Sequence, residues 1–186
     1  MDKVSDMRED LSFERSKFEM QDRFYMEKLD MPTPERYDFN SVTGHIMQKK
    51  DIDLSFCGIL HVSEKHRRKD YNDFLFEIYS VWNENTKTKG WSVTGESDLT
   101  VLFMPSSVYI FDTKQLHSFI EKVNINIPES TWRIFSEMGS MTDTINIMGD
   151  KMTMVKSLNR NYMTLSLAVP FDILKKHGIN FKRYDM

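Results

Sequence analysis

A single mixed domain, α/β or α+β, with one central mixed β-sheet flanked by helices is the fold this sequence predicts. Three observations predict it. An amphipathic helical stretch precedes a proline pair, short Ile/Leu/Phe/Val-rich runs are bounded by turn residues, and helical segments sit between groups of those runs. At 186 residues the chain is long enough for one domain with a real core and an appended arm. The division expected is an N-terminal helical arm, 1–34, and an α/β domain, 35–186.

Residues Ser5 to Leu29 read as one helix, with Met7, Leu11, Phe18, Tyr25 and Leu29 close to one face. Met31-Pro32-Thr33-Pro34 ends it, because proline cannot continue the hydrogen-bond ladder. This helix can dock on the core, pair with a second copy as a homodimer, or stand off as an arm. Asp38 to Lys50 reads as a second helix, capped by Asp38 or Ser41, with Val42, Ile46 and Met47 inward. Strands are expected at Ile52–Cys57, Ile59–Ser63 and Phe74–Tyr79. Gly58 permits a tight turn between the first two, and the basic, polar segment from Glu64 to Asp73 separates the others. A polar loop, Asn83 to Gly90, leads to Trp91–Thr94. Strands Asp98–Met104 and Val108–Asp112 are joined at Pro105-Ser106-Ser107, and Thr113 to Val123 is helical, with Leu116, Phe119 and Ile120 on one face. Strands at Thr144–Met148, Met152–Val155 and Met163–Val169 and a closing helix, Phe171–Lys176, complete the chain.

The formal charge of -3 gives no net basic field, which argues against tight non-specific DNA binding through bulk charge. Lysines and arginines do cluster at Lys65, Arg67, Arg68 and Lys69, a run that also suits a solvated turn. Cys57 is the only cysteine, so no internal disulfide is possible and a reducing, cytoplasmic setting is expected. The charged start MDKVSDMRED does not read as a signal peptide, and no apolar run approaches membrane-spanning length. There is no glycine-rich phosphate loop and no G-x-S-x-G elbow. The five histidines show no metal-ligand spacing; His61 alone shares a strand face with other candidate site residues.

The stretch Gln48–Tyr79 places Asp51, Asp53, Glu64, Lys65 and Glu77 on apolar strands that would ordinarily bury their side chains. Side chains alternate between faces along a strand, so parity sorts these residues. Asp51, Asp53 and Ser55 share a face; Lys65 shares one with Ser63 and His61; Glu64 goes with Val62 and Leu60; Glu77 goes with Asp73, Leu75 and Tyr79. Asp53, Lys65 and Glu77 are thereby compatible, and Glu64 joins them only if its strand has ended or bulged. Carboxylates gathered this way suit a divalent cation, and a nearby lysine suits a phosphate or an attacking water. Taken one at a time, acids at strand ends are more often solvated or salt-bridged, and Asp51 or Asp53 can equally serve Lys49 and Lys50.

An acid on one strand followed by acid-x-Lys on the next resembles the PD-(D/E)XK, or restriction-endonuclease-like, nucleases of phage and bacterial type. Ile52-Asp53 stands for the first half and Ser63-Glu64-Lys65 for the second. The order continues with Asp73-x-Leu75-x-Glu77, Lys89-Gly90-Trp91, Ser97-Asp98-Leu99, Tyr109-Ile110 with a following helix, and a late strand before Pro170, so the likeness covers about residues 45 to 175. The resemblance implies a restriction-endonuclease-like fold and Mg²⁺- or Mn²⁺-dependent hydrolysis of DNA. Asp53, Glu77 and Glu64 would be metal ligands, and Lys65 would be catalytic beside them. Ser63 stands where the family usually has an acid, so Glu77, ranked above Glu64, would have to supply the missing charge. A rival register, Asp98 with Asp112-Thr113-Lys114, fits the short motif better on pattern alone, although the family order places this hairpin after the catalytic strands and Asp112 can instead cap the helix after it. A nuclease-derived module without catalysis, binding nucleic acid or a protein partner, is the alternative.

Overall fold

The alternating apolar runs build two sheets rather than one central sheet. The structure, a computed structural model, describes residues 17–38, 40–83, 85–159 and 161–186. In chain order the elements are α1 (Phe18–Lys28), β1 (Glu35–Arg36), α2 (Val42–Lys49), β2 (Leu54–Phe56), β3 (Leu60–His66), β4 (Asp73–Trp82) and β5 (Lys87–Lys89). Next come α3 (Trp91–Thr94), β6 (Leu99–Phe103), β7 (Ser107–Asp112), α4 (Thr113–Ile125) and α5 (Glu129–Glu137). The chain closes with β8 (Thr142–Ile147), β9 (Asp150–Leu158), β10 (Met163–Pro170), α6 (Phe171–Lys176) and β11 (Phe181–Asp185). The first sheet runs β1-β2-β3-β6-β7-β11, with β3 and β6 parallel and the other neighbours antiparallel. The second, β5-β4-β10-β9-β8, is antiparallel throughout.

Two apolar clusters follow from strand alternation in the first sheet. Val62, Val101, Phe103 and Val108 point one way, onto Phe24 and Tyr25 of α1. Leu102, Tyr109 and Phe111 point the other way, into the larger core shared with Phe74 and Phe76 of β4 and Leu116, Phe119 and Ile120 of α4. Docking on the core is therefore the placement taken by the helix where it is described; the part expected over Ser5 to Ser16 lies outside the described residues. In α2 the cap is Ser41, whose Oγ accepts from the Gly44 amide at 2.9 Å. Contrary to expectation, Val42 and Ile46 face solvent and Gly44 faces inward, against the Asp38 backbone, where a Cβ would meet the carbonyl oxygen at 1.8 Å. Four elements were not expected: β1, β5, α5 and β11. Helix α5 buries Trp132 and Phe135, and its C-terminal carbonyls of Phe135, Ser136 and Met138 accept from the buried Lys156 ammonium, which offsets the negative end of the helix.

Strand β3 continues through His66 instead of ending at Ser63, so the parity of Glu64 and Lys65 is strand parity. Glu64 points toward α1. Its Oε2 accepts from Arg36 Nη1 at 2.7 Å, its Oε1 accepts from the Tyr25 hydroxyl at 2.9 Å, and Arg36 Nη2 also reaches Asp22 at 2.6 Å. Burial works against the Arg36 charge, but hydrogen bonds and attraction from Glu64 and Asp22 more than offset it and raise its pKa. This network ties α1 to the first sheet, and its energetic signature is asymmetric: losing one partner is costly, whereas replacing both is not. Glu64→Ala is expected to cost roughly 3 kcal/mol in urea unfolding, with much of the loss recovered in Glu64→Leu combined with Arg36→Met. A loss of under about 1 kcal/mol would place the pair with ordinary surface salt bridges.

Candidate active site

Strand β3 sends Ser63 and Lys65 to the side opposite Glu64, and there they meet Asp51 at the end of α2. Asp51 has a φ of 58°, the left-handed conformation that usually follows a helix C-terminus as glycine. In that conformation its Oδ1 lies 2.5 Å from Lys65 Nζ and its Oδ2 accepts from Ser63 Oγ at 2.7 Å. Asp53 lies in the first residues before β2: Oδ2 accepts from the Glu64 amide at 2.6 Å and Oδ1 from Gln48 Nε2 at 3.2 Å.

Glu77 reaches the same place from the second sheet. Along β4 the partners on β10 step from Tyr79–Leu165 to Glu77–Ser166, which leaves Ile78 as an extra residue. This bulge reverses parity, so Tyr79 joins Phe74 and Phe76 in the core and does not share the face of Glu77 as expected. The turn Gly90-Trp91-Ser92 lies directly on Glu77. Ser92 Oγ donates to the Glu77 carbonyl, and a Cβ on Gly90 would sit 2.3 Å from that carbonyl oxygen. The Trp91 ring packs against Phe74 and Phe76 and carries the Lys65 ammonium 4.5 Å from its centroid. That contact adds cation–π attraction to the ion pair.

The electrostatics join these residues into one cluster. Burial works against the Lys65 ammonium, yet the charges of Asp51, Asp53 and Glu77 outweigh it and hold its pKa above the ordinary value. Burial raises the Asp53 carboxyl, assisted by Asp51 and opposed by Lys65, the Glu64 amide and Gln48. Burial likewise raises Glu77, assisted by Asp51 and opposed by Lys65 and the Trp91 backbone. Asp51 thus pairs with the ammonium directly, while Asp53 and Glu77 act on it as neighbouring acids whose own carboxyls burial raises.

The expected site residues are brought together in part. Asp53, Lys65 and Glu77 share the cluster, while Glu64, expected as an auxiliary catalytic and metal-binding acid, is engaged on the far face with Arg36 and Tyr25. The rival register does not assemble. Asp112 caps α4, its Oδ1 accepting from the Gln115 amide at 3.1 Å, and Lys114 lies exposed in that helix rather than on a strand. Asp98 instead accepts from the His61 amide at 2.9 Å, fixing the start of β6 beside β3. Asp51, Trp91 and His117 were not selected from sequence. Parity did put Asp51 with Asp53; its left-handed turn is what aims it at Lys65. His117 is half-buried in α4, and burial lowers its pKa, opposed by the Asp51 charge and the Trp91 backbone.

Among the described residues no group of three or more His, Cys, Asp or Glu side chains is placed to hold a metal ion, so the expected set Asp53, Glu77 and Glu64 is not formed. No helix among them is long and apolar enough to cross a membrane. No protein family, characterised protein or solved structure matches the chain.

A pH prediction follows from the raised acids. Between the unfolded carboxylate range, about 4, and the higher folded pKa, the native state holds more protons than the unfolded chain. Stability therefore falls as pH rises through that window. Glu77→Gln removes one such group and is expected to raise the melting temperature at pH 7 while leaving it nearly unchanged at pH 3.5. A lower melting temperature at pH 7 would mean that the Glu77 charge is a net stabiliser.

Proposed function

We propose that the chain is a metal-dependent, restriction-endonuclease-like protein that hydrolyses DNA phosphodiester bonds in the cytoplasm. The observation that carries this reading is the contact of Asp51 with the Lys65 ammonium at 2.5 Å, with Asp53 and Glu77 near enough to act on the same charge. Hard oxygen donors suit Mg²⁺ or Mn²⁺, and Mg²⁺ commonly takes only one or two protein carboxylates and keeps its waters. Asp51 and Glu77 are the donors assigned here, with Asp53 beside them; Glu64 is excluded because Arg36 and Tyr25 hold it. Bound at this place, the cation would supply phosphate charge neutralisation and a more acidic water. Lys65 would donate to a phosphate oxygen or hold the attacking water, and Asp51 would be one of the residues holding the cation. Trp91 keeps the ammonium in place by its ring, and Gly90 and Ser92 fix the strand that carries Glu77.

Ser63 favours one competing reading, a nuclease-derived module that binds nucleic acid or a protein without cleaving. Its hydroxyl donates to Asp51 where the resembling family has an anionic ligand. The two readings separate in a cleavage assay on single- and double-stranded DNA with Mg²⁺ or Mn²⁺. The nuclease reading expects activity that falls at least about 100-fold in Asp51→Asn, Lys65→Met and Glu77→Gln, the scale of a lost electrostatic contact to the transition state. Asp112→Asn is expected to leave it intact. No cleavage with either metal, together with retained DNA binding, would favour the binding module. Cleavage that survives Lys65→Met would remove the cluster from the chemistry.

A further inference from the structure

Asp51, Lys65 and Glu77 come from separate stretches of chain, and one short segment, residues 90–96, bears on all three. At its start Gly90 and Ser92 lie on the Glu77 carbonyl, and the Trp91 ring carries the Lys65 ammonium. Its far end reaches Asp51. Helix α3 closes at Gly95, whose amide donates to the Trp91 carbonyl at 2.8 Å, and the Glu96 amide donates to the Lys50 carbonyl at 2.7 Å. Lys50 precedes Asp51, so this second bond holds the chain where Asp51 takes its left-handed conformation. The Lys50 and Glu96 side chains also pair, at 2.8 Å, but both are exposed, and pairs of that kind hold little. A Cβ on Gly95 would lie 2.9 Å from the Trp91 carbonyl oxygen and 3.3 Å from both Cβ and Oδ2 of Asp51. The first approach is closer than a Cβ comes to a backbone oxygen, and the other two require Asp51 to give way. Gly95 has φ -63° and ψ 145°, a conformation open to any residue. Glycine is needed here for space, not for its backbone freedom.

We propose that Gly95 is a positioning residue of this site. Its missing side chain lets the α3 turn close on Asp51 and fixes where that carboxylate stands relative to Lys65 and Glu77. The inference rests on the nuclease reading for the use made of this spacing, and deepens it by naming what sets the spacing. Asp51 Oδ2, which a methyl at Gly95 would press, is the atom that accepts from Ser63 Oγ, and Oδ1 of the same carboxylate meets Lys65. A push on one oxygen therefore disturbs both contacts. A second push falls on Trp91, whose ring carries the same ammonium. Misplacing a reacting group by about 1 Å costs on the order of 100-fold in rate.

The test compares Gly95→Ala with Val93→Gly, which loosens the same turn from its exposed side. In a crystal structure of metal-free Gly95→Ala, Asp51 is expected to have left Ser63 and Lys65, with the Glu64–Arg36 pair unchanged. Mn²⁺ affinity, read by calorimetry, is expected to fall at least about tenfold, and kcat for DNA cleavage about 10- to 100-fold with KM for DNA kept. Val93→Gly is expected to keep all three. Glu96→Pro deletes the amide that donates to Lys50 without adding a group at Gly95; it is expected to shift Asp51 as well, and it decides the matter if Gly95→Ala does not fold. Asp51 in its wild-type place in the variant that folds, or equal losses in Val93→Gly, would overturn the proposal. A wild-type chain that neither binds Mn²⁺ nor cleaves loses the nuclease reading, and the position of Asp51 in the variant crystals then decides the role of Gly95 by itself.

Discussion

A half-buried lysine ammonium between two sheets is answered by nearby carboxylates, and much of the site is arranged around that pairing. Burying an unpaired charge costs several kcal/mol or more, so the group would otherwise lose its proton. Lys65 keeps it because Asp51 is 2.5 Å away and because Asp53 and Glu77 add to the field. Burial raises the carboxyls of Asp53 and Glu77, with Asp51 adding repulsion, and burial raises Glu64 on the other face as well.

Asp51 and the turn over Glu77 depend on departures from regular structure. Asp51 is itself a left-handed residue at the end of α2, and the turn over Glu77 needs Gly90 because a Cβ would strike the carbonyl; the extra residue Ile78 in β4 sends Tyr79, not Glu77, to the other face. The opposite face of β3 is treated differently. There Glu64 is matched by Arg36 and Tyr25 and holds α1 to the sheet. One strand therefore carries two ion pairs on opposite faces, Glu64 with Arg36 and Lys65 with Asp51, and the alternation of β3 is what keeps the two apart.

Local pattern carried a good part of this and long-range pairing carried the rest. The alternation Leu60, Val62, Glu64 against His61, Ser63, Lys65 was readable, as were the amphipathic face of α4 and the turn at Pro105-Ser106-Ser107, because each depends on neighbours in sequence. The second sheet was not, since the pairing of β4 with β10 joins residues far apart in the chain and leaves no local signature. Strand β5 is three exposed polar residues, Lys87–Lys89, and reads as loop. Helix α5 had a signal that went unused: Pro128 before Glu129, then Trp132 and Phe135 three apart. In the site, parity found Lys65 and Glu77 and turned Glu64 away. It put Asp51 and Asp53 on one face, and the family resemblance then pointed to Asp53; the left-handed residue that aims Asp51 at Lys65 leaves no mark in the pattern of residue types.

The most direct measurement is a crystal structure of the chain soaked in Mn²⁺, read by anomalous scattering. The account predicts a peak between the carboxylates of Asp51 and Glu77, with Glu64 still held by Arg36. An empty cluster, or Mn²⁺ found only at other acids on the surface, would contradict it.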